Sequence, residues 1–558
     1  MDYGSGISVD FDVPGEMRDG TVLRANVYRP AGDGPWPTLL SRTPYDKNNW
    51  ADMSVLDTVQ AARQGFLVVL QDTRGRFSSR GDFEPLRHER ADGFDAVEWA
   101  ARLPGSNGRV GMYGESYCGN TQWMAASQAP PSLAAIAPAL TWADPMDGLF
   151  ARGGAVELGV SLPWTMQAGF GDLARRGLTE TELAERLEAM IAEYDALPDR
   201  GYWELPVVES FVRRRYGLPE LGGLRVLDDP GVADACRVTG DHERVTVPSF
   251  HTGGWYDIFT QGILDNFVAM AGQGREARLE MGPWTHWLSG FDDPIGERLF
   301  GLRASRFGVP TNSVGDSGDL QLAWLRHHLT GTEQELPEKP VRIFVMGRNE
   351  WREESGWPLS RERTERLFLR AEGGLSNEAP AAEEGTSEFV YDPADPVPTV
   401  GGQTVMAPAY QSGPMDQASV EDRGDVLVFT SAPLQHDLEA TGRVKLVVYG
   451  ESSAVSTDWV GRLCDVDPGG RSFNLCDGIL RVGEGADSPG RHEIDLWSTS
   501  NVFLAGHRIR VHLTSSCFPR WDRNLGTGDQ RAARFVTAHQ RIHHAAERAS
   551  YIELPVIP

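Results

Sequence analysis

Ser116, Asp257 and His286 follow one another in that order along the chain, each near the end of a strand-like run. Together these residue types make a nucleophile, a group that orients a base, and the base itself. Ser116 stands in GRVGMYGESYCGN (108–120), after the run 109–113 and before a helix-like stretch at 121–128. Gly114 precedes it by two positions, and Cys118 and Gly119 follow. On such a sharp strand-to-helix turn a serine hydroxyl is lifted above the sheet toward the first N–H groups of the helix, and small neighbours leave room for the turn. Cys118 stands where glycine is usual. On the short motif alone, the competing reading is a capping serine in a tight structural turn. GGWYDIFTQG offers Asp257 and MGPWTHW offers His286, in the chain order that goes with this kind of turn. His88 precedes the serine, His251 falls in a strand-like run, and His327 and His328 fall in a helical one, so His286 is the preferred base. The alternative is a packed core histidine beside Trp284 and Trp287.

Acyl transfer to a serine builds a tetrahedral oxyanion, which needs two donors. The backbone N–H of Tyr117, next after the serine, is one. The run 36–42 leads into TPYDKNN, which offers the phenol of Tyr45 as the other, stiffened by Pro44. A Pro-Tyr turn with no chemical role is the alternative.

These groups need strands that end on one rim. In the first third of the chain, runs at 21–30, 36–42, 65–75 and 109–114 read as strands, the first as an edge strand closed by Pro30. The stretch 89–103 reads as a helix, with Phe94, Val97 and Trp99 flanked by charge. Strands separated by helices imply a parallel sheet with helices on its faces. From about 146 to 240 no strand is evident. There LTETELAERLEAMIAEYDAL (178–197) reads as an amphipathic helix with Leu183, Leu187, Met190, Ile191 and Tyr194 on one face, opened by a Thr179/Glu182 capping box. The sheet pattern resumes at 247–257 and 277–286. Beyond a linker-like stretch at 372–388, runs at 443–450 (Val444, Leu446, Val448) and 507–516 (Ile509, Val511, Leu513) alternate cleanly and helices are scarce, which indicates an all-β sandwich.

The bulk properties exclude several roles. A chain of 558 residues needs more than one domain. A formal charge of −26 argues against nucleic acid and anionic membranes as partners. The N-terminal stretch has neither the basic nor the apolar region of a secretory leader, and no apolar run approaches the ~20 residues of a membrane helix. Five cysteines in so long a chain are not a disulfide framework, and a cytoplasmic location follows.

RTPYDK (42–47), QDTRGRFSSRGDF (71–83), GRVGMYGESYCGNTQW (108–123), GGWYDIF (253–259), GPWTH (282–286), LCDVDPGGRSFNLCDGILR (463–481) and FPRWDRNLGTG (518–528) run through nearly the whole chain. In these motifs the sequence resembles the cocaine esterase and Xaa-Pro dipeptidyl-peptidase (CocE/NonD) family of α/β-hydrolases. The resemblance implies an α/β fold: an α/β-hydrolase domain built from 1–145 and 241–350, a helical cap inserted at 146–240, and a C-terminal all-β jelly roll at 351–558. It implies Ser116 as nucleophile, His286 as base, Asp257 as orienting acid, and Tyr45 with the Tyr117 N–H as oxyanion hole.

The activity so implied is hydrolysis of a carboxylic ester or amide through an acyl-enzyme. Trp142, Trp164 and Phe259 are candidates for an apolar or aromatic acyl pocket, with packing between cap and sheet as the alternative. Asp144 and Asp147 in TWADPMDG either anchor a substrate ammonium or are solvated loop acids. The family holds aryl-acyl esterases, α-amino acid ester hydrolases, β-lactam acylases and Xaa-Pro dipeptidyl-peptidases. The peptidases usually carry extra N-terminal structure, so the esterase reading stands first. An acyltransferase or cyclase would use the same residues. A non-catalytic binding protein is disfavoured by the intact set. Arg74 and Asp82 in 71–83 read as shaping the rim through turns and an ion pair. CDVDPGG (464–470) lacks the spacing of a calcium loop and reads as a hairpin turn. No metal and no cofactor are expected. The expected partner is a small-molecule ester or amide, with a homodimer left open.

Overall fold

The computed structural model describes residues 6–49, 56–209, 211–218, 222–226, 229–287, 294–306, 317–382 and 384–558. Residues 1–5, part of the stretch read as lacking a leader, lie outside the described residues. The first part of the chain builds a ten-stranded sheet from β1 (Ser8–Glu16), β2 (Val22–Arg29), β3 (Trp36–Thr43), β4 (Leu67–Asp72), β5 (Ser106–Glu115), β6 (Leu133–Ala139), β9 (Ser249–Gly254), β10 (Ala277–Gly282), β11 (Val341–Val345) and β12 (Glu350–Glu354). Their spatial order is β1-β2-β4-β3-β5-β6-β9-β10-β11-β12. The strands from β4 to β11 pair in parallel, while β1, β2 and β12 run antiparallel to their neighbours.

A sheet covered on both faces reads as a continuous apolar run, because alternate side chains feed two cores. In β4, Leu67 and Val69 join one core with Leu40, Met112 and Met281, while Val68 and Leu70 join the opposite core with Leu39, Tyr113 and Phe250. The run 21–30 is not the edge, because β1 pairs outside it. β1 escapes sequence reading because, although SVDFDV alternates, the strand is mostly exposed, contains Pro14 and Gly15, and shifts register between Asp10 and Val13.

Helix α1 (Glu89–Ala101) packs on the sheet, and its charges do not simply flank it. Glu89 and Asp92 are buried, and each is answered by an arginine from the rim. Arg42 meets Glu89 at 2.6 Å and Arg74 meets Asp92 at 2.6 Å. Arg74 also pairs with Asp19, so its acidic partners are these and not Asp82. Helix α2 (Tyr117–Ala126) follows β5 directly and is buried along its whole length.

Between β6 and β9 lie α3 (Leu158–Leu173) and α4 (Glu180–Asp195). The capping box at α4 forms: Thr179 Oγ1 accepts from the Glu182 N–H at 3.3 Å and the Glu182 carboxylate accepts from the Thr179 N–H at 3.0 Å. Leu183, Leu187, Met190 and Tyr194 pack into the local core. Ile191 does not: it is 46% exposed, because the buried stripe of α4 is narrow and centred on Met190. The region also holds a short ribbon, β7 (Ala151–Arg152) with β8 (Ala155–Val156), whose two-residue strands are too short to leave an alternating pattern.

Beyond β12 the chain forms a seven-stranded and a four-stranded sheet around one core. Val444, Leu446 and Val448 come to this core from one sheet, and Ile509, Val511 and Leu513 from the other. The segment 464–470 ends one strand and turns into the next, with the Gly470 N–H donating to the Asp467 carbonyl at 2.9 Å. Among the described residues no three His, Cys, Asp or Glu side chains are arranged to hold a metal ion, and no helix is long and apolar enough to cross a membrane.

Candidate active site

The parallel strands deliver the candidate residues to one rim, beyond their carboxyl ends, where ligands bind in sheets of this kind. Tyr45 follows β3, Ser116 follows β5, Trp142 follows β6, Asp257 follows β9 and His286 follows β10. Ser116 turns the chain from β5 into α2 with φ 58° and ψ −122°, a conformation that L-residues rarely adopt. Its N–H is held by the Ala139 and Leu140 carbonyls at 3.0 and 3.1 Å. The turn needs its two glycines. A Cβ on Gly114, at φ +130°, would lie 2.7 Å from the Cys118 Cβ. One on Gly119 would lie 2.8 Å from the Thr141 Cβ and 2.9 Å from the Ala139 carbonyl oxygen. Cys118 fits where glycine is usual because its side chain points into the core, fully buried, and burial pushes its thiol pKa well up.

Tyr117 opens α2, so its N–H is among those without an intrahelical partner. Its side chain is anchored below the rim. The hydroxyl donates to Glu89 Oε1 at 2.8 Å and accepts from the Leu86 N–H at 2.9 Å. Glu89 in turn holds Arg42, so a buried chain of polar groups fixes the first turn after the serine.

His286 Nδ1 lies 2.6 Å from Asp257 Oδ2. The other carboxylate oxygen, Oδ1, accepts from the Phe259 N–H at 2.8 Å. Asp257 is fully buried. With Nδ1–H donating to the carboxylate, Nε2 is left as the acceptor. The imidazole is wedged edge-to-face between Phe259, at 5.5 Å, and Trp287, at 4.9 Å between centroids. The other histidines lie elsewhere. His251 is fully buried in β9 against Ser249, and burial pushes its pKa down to about 3. His328 in helix Ser317–Thr330 is likewise pushed down, to about 4.

Ser116 and His286 open on one cavity of about 270 Å³. Tyr45, Tyr117, Trp142, Trp164 and Phe259 all line it. Trp142 and Phe259 pack at 5.2 Å, and Trp164 stacks on Tyr117 with the planes 8° apart. The Trp164 indole N–H donates to the Tyr45 hydroxyl at 3.1 Å, and the Ser116 hydroxyl also hydrogen-bonds to that phenol. Burial raises the phenol's pKa above its ordinary value, so the group keeps its proton.

Residues 19–287 match the X-Pro dipeptidyl-peptidase (S15 family) model, and residues 336–553 match the X-Pro dipeptidyl-peptidase C-terminal non-catalytic domain. A cocaine esterase from Rhodococcus sp. (strain MB1 Bresler) is 36% identical over 586 aligned residues, covering 99% of both chains. The chain belongs to the cocaine esterase and X-Pro dipeptidyl-peptidase family. Among solved structures, an alpha-amino acid ester hydrolase superposes with a TM-score of 0.78 at 25% identity, covering 100% of this chain and 97% of its own. An aminopeptidase from a marine sediment archaeon (Thaumarchaeota archaeon) gives 0.76 at 25% identity, covering 99% and 97%. As a member of this cocaine esterase and S15 family the chain is a serine hydrolase, with an α/β-hydrolase domain and a β-rich C-terminal domain.

Against this family background, two acids read from the sequence do not reach the cavity. Asp144 pairs with Arg237, and Asp147 accepts from the Trp497 indole at 3.1 Å, so neither is a freely solvated loop acid. Several wall residues are not among the site candidates of the sequence: Leu86, Leu149, Val160, Trp287, Arg306 and Val405. Only Trp287 carried a local signal, its place directly after the candidate base. Trp284 is fully buried, whereas Trp287 is 61% exposed.

Proposed function

We propose that this serine hydrolase cleaves carboxylic esters with an uncharged apolar or aromatic acyl group, through an acyl-enzyme on Ser116. The observation that carries the reading is that the strained Ser116 turn and the Asp257-bound His286 both open on one mostly apolar cavity. In this mechanism Ser116 Oγ attacks the carbonyl carbon while His286 Nε2 takes its proton. Asp257 holds the imidazole in the right tautomer and stabilises the imidazolium. The Tyr117 N–H and the Tyr45 O–H receive the oxyanion. Collapse breaks the ester C–O bond, and His286 protonates the departing alcohol. Water then repeats the sequence on the acyl-enzyme and releases the acid. No step calls for a cofactor.

An amine-bearing acyl group, as the names of the two structural relatives would suggest, needs a carboxylate facing the site. Among the described residues on the cavity wall, Glu115 is the one carboxylate, and Arg306 meets it at 3.5 Å. The cytoplasmic reading rests on five cysteines that are all buried and unpaired. The homodimer reading is checked by sedimentation equilibrium.

The test is a panel of esters and amides with one leaving group and varied acyl groups, run beside fluorophosphonate labelling. The expected result is label on Ser116 and a preference of at least about tenfold in kcat/KM for benzoyl or phenylacetyl over α-aminoacyl groups. Equal or faster turnover of the aminoacyl substrates would transfer the assignment to an amino acid ester hydrolase or aminopeptidase.

A further inference from the structure

A second chamber, of about 490 Å³, abuts the catalytic cavity and shares with it the wall residues Val160, Trp164, Gln167, Trp287 and Val405. Its further faces come from α3 and α4, through Pro163 and Tyr194, from Pro294 and Gly296, and from the segment 405–412, through Met406, Pro408 and Tyr410. Gln167 Nε2 donates to the Tyr194 hydroxyl at 2.8 Å, tying the shared wall to the outer one. In a chain of net charge −26, the described residues lining this chamber include no Asp, Glu, Lys, Arg or His. Its surfaces combine the rings of Trp164, Tyr194, Trp287 and Tyr410 with proline and methionine and with the uncharged polar side chains of Gln167, Thr285, Gln411 and Ser412. Such a lining favours a flat uncharged ligand, since rings stack well and a charge would be desolvated without compensation.

The chamber also lies on a particular side of the reaction. Thr285 and Trp287, the two neighbours of His286, both line it. During acylation the Ser116 Oγ–carbon bond forms and the ester C–O bond breaks, and the proton taken from Oγ passes from His286 Nε2 to the departing oxygen. The leaving group must therefore lie on the histidine side, while the acyl group stays against Trp142 and Phe259 in the inner cavity. We propose that the outer chamber is a leaving-group subsite that takes a flat, uncharged aromatic alcohol. The proposal rests on the serine-hydrolase roles given above to Ser116 and His286.

The experiment uses the full chain and three benzoate esters, of methanol, of 2-naphthylmethanol and of glucose at O6. All three form the same benzoyl-enzyme, so a shared deacylation step cancels and kcat/KM reads acylation with each leaving group. The naphthylmethyl ester should exceed the methyl ester in kcat/KM by about 10²-fold. Tyr410→Ala and Tyr194→Ala should each cut that ratio by about tenfold. Taking the ratio within one preparation removes any effect of partial misfolding. A ratio within about threefold of unity in the wild type, or one that neither variant lowers, overturns the proposal. So does a glucose ester that outruns the naphthylmethyl ester, which would mark a polyol subsite. If Ser116 takes up fluorophosphonate and methyl benzoate turns over while the ratio stays flat, the subsite alone fails. If Ser116 is not labelled, the underlying roles fail and the proposal falls with them.

Discussion

The indole N–H of Trp164 donates to the phenolic oxygen of Tyr45 at 3.1 Å. Trp164 belongs to α3 and Tyr45 to the rim beyond β3, so the inserted helices orient a group of the sheet. A phenol has one proton to give. With a lone pair engaged by the indole, that proton is set to donate into the cavity rather than to swing freely.

Tyr45→Phe keeps the ring and deletes the donor. The expected loss is about 10²–10³-fold in kcat with little change in KM, since the donor acts on an oxyanion absent from the ground state. Trp164→Phe removes the orienting bond, along with part of the ring that lines the cavity and stacks on Tyr117, and should cost about tenfold in kcat. Steady-state kinetics on one good ester measure both, and a kcat within a few-fold of wild type for Tyr45→Phe would reduce Tyr45 to a turn residue.

On the alkaline side, burial raises the Tyr45 pKa above its ordinary value of about 10, so the protonated donor persists as pH rises to that point. The rate plateau should therefore hold up to about pH 10. A fall in kcat below that pH that is absent in Tyr45→Phe would show that the phenol ionises early.

Ser116→Ala should abolish hydrolysis and labelling. Ser116→Gly should be equally inactive yet at least as stable as the alanine variant, because glycine tolerates φ 58° without the Cβ conflict worth about 1–2 kcal/mol. Chemical denaturation compares the two variants. An alanine variant clearly more stable than the glycine one would mean that the turn is not strained.

His286→Ala should approach the damage of Ser116→Ala, about 10⁶-fold in kcat, and Asp257→Asn should cost less, about 10⁴-fold, since serine and base act as a unit and the acid orients them. If Asp257→Asn were silent, the short Asp257–His286 contact would have no part in turnover.

Gly153→Ala tests the ribbon between β7 and β8. The added Cβ would fall 1.9 Å from the Ile479 carbonyl oxygen, which is backbone and cannot step aside. At Gly177, also at positive φ, a Cβ meets open space. Gly153→Ala should lower stability by about 1–3 kcal/mol beyond Gly177→Ala, read as the difference in denaturation midpoints.

Much of this was legible in the sequence where the pattern is local. Leu67–Leu70 announce a strand buried on both faces, and Val444, Leu446 and Val448 one with a single core face, because side chains alternate with period two. The glycines around Ser116 mark its turn because their lack of a side chain is itself the requirement. Trp142, Trp164 and Phe259 sit next to rim or cap segments and do line the cavity. What stayed hidden depends on distant partners. Arg74 finds Asp92 and Asp19 rather than the nearer Asp82, since ion pairs follow space and not spacing. Ile191 keeps its helical phase but stays about half exposed, outside the local core. Val405 and Arg306 reach the wall from segments whose own patterns say nothing of a cavity.

Val405 has a wider meaning. It closes the catalytic cavity from beyond the last strand of the ten-stranded sheet, while Ser116, Asp257 and His286 all hang from that sheet. Part of the cavity wall is therefore encoded apart from the reaction centre, although Trp142 and Phe259 share the triad's rim and Trp164 reaches Tyr45. Drift in the 405–412 segment can re-tailor which esters are accepted while the reaction centre stays as it is. A lineage built this way can change diet without relearning its chemistry.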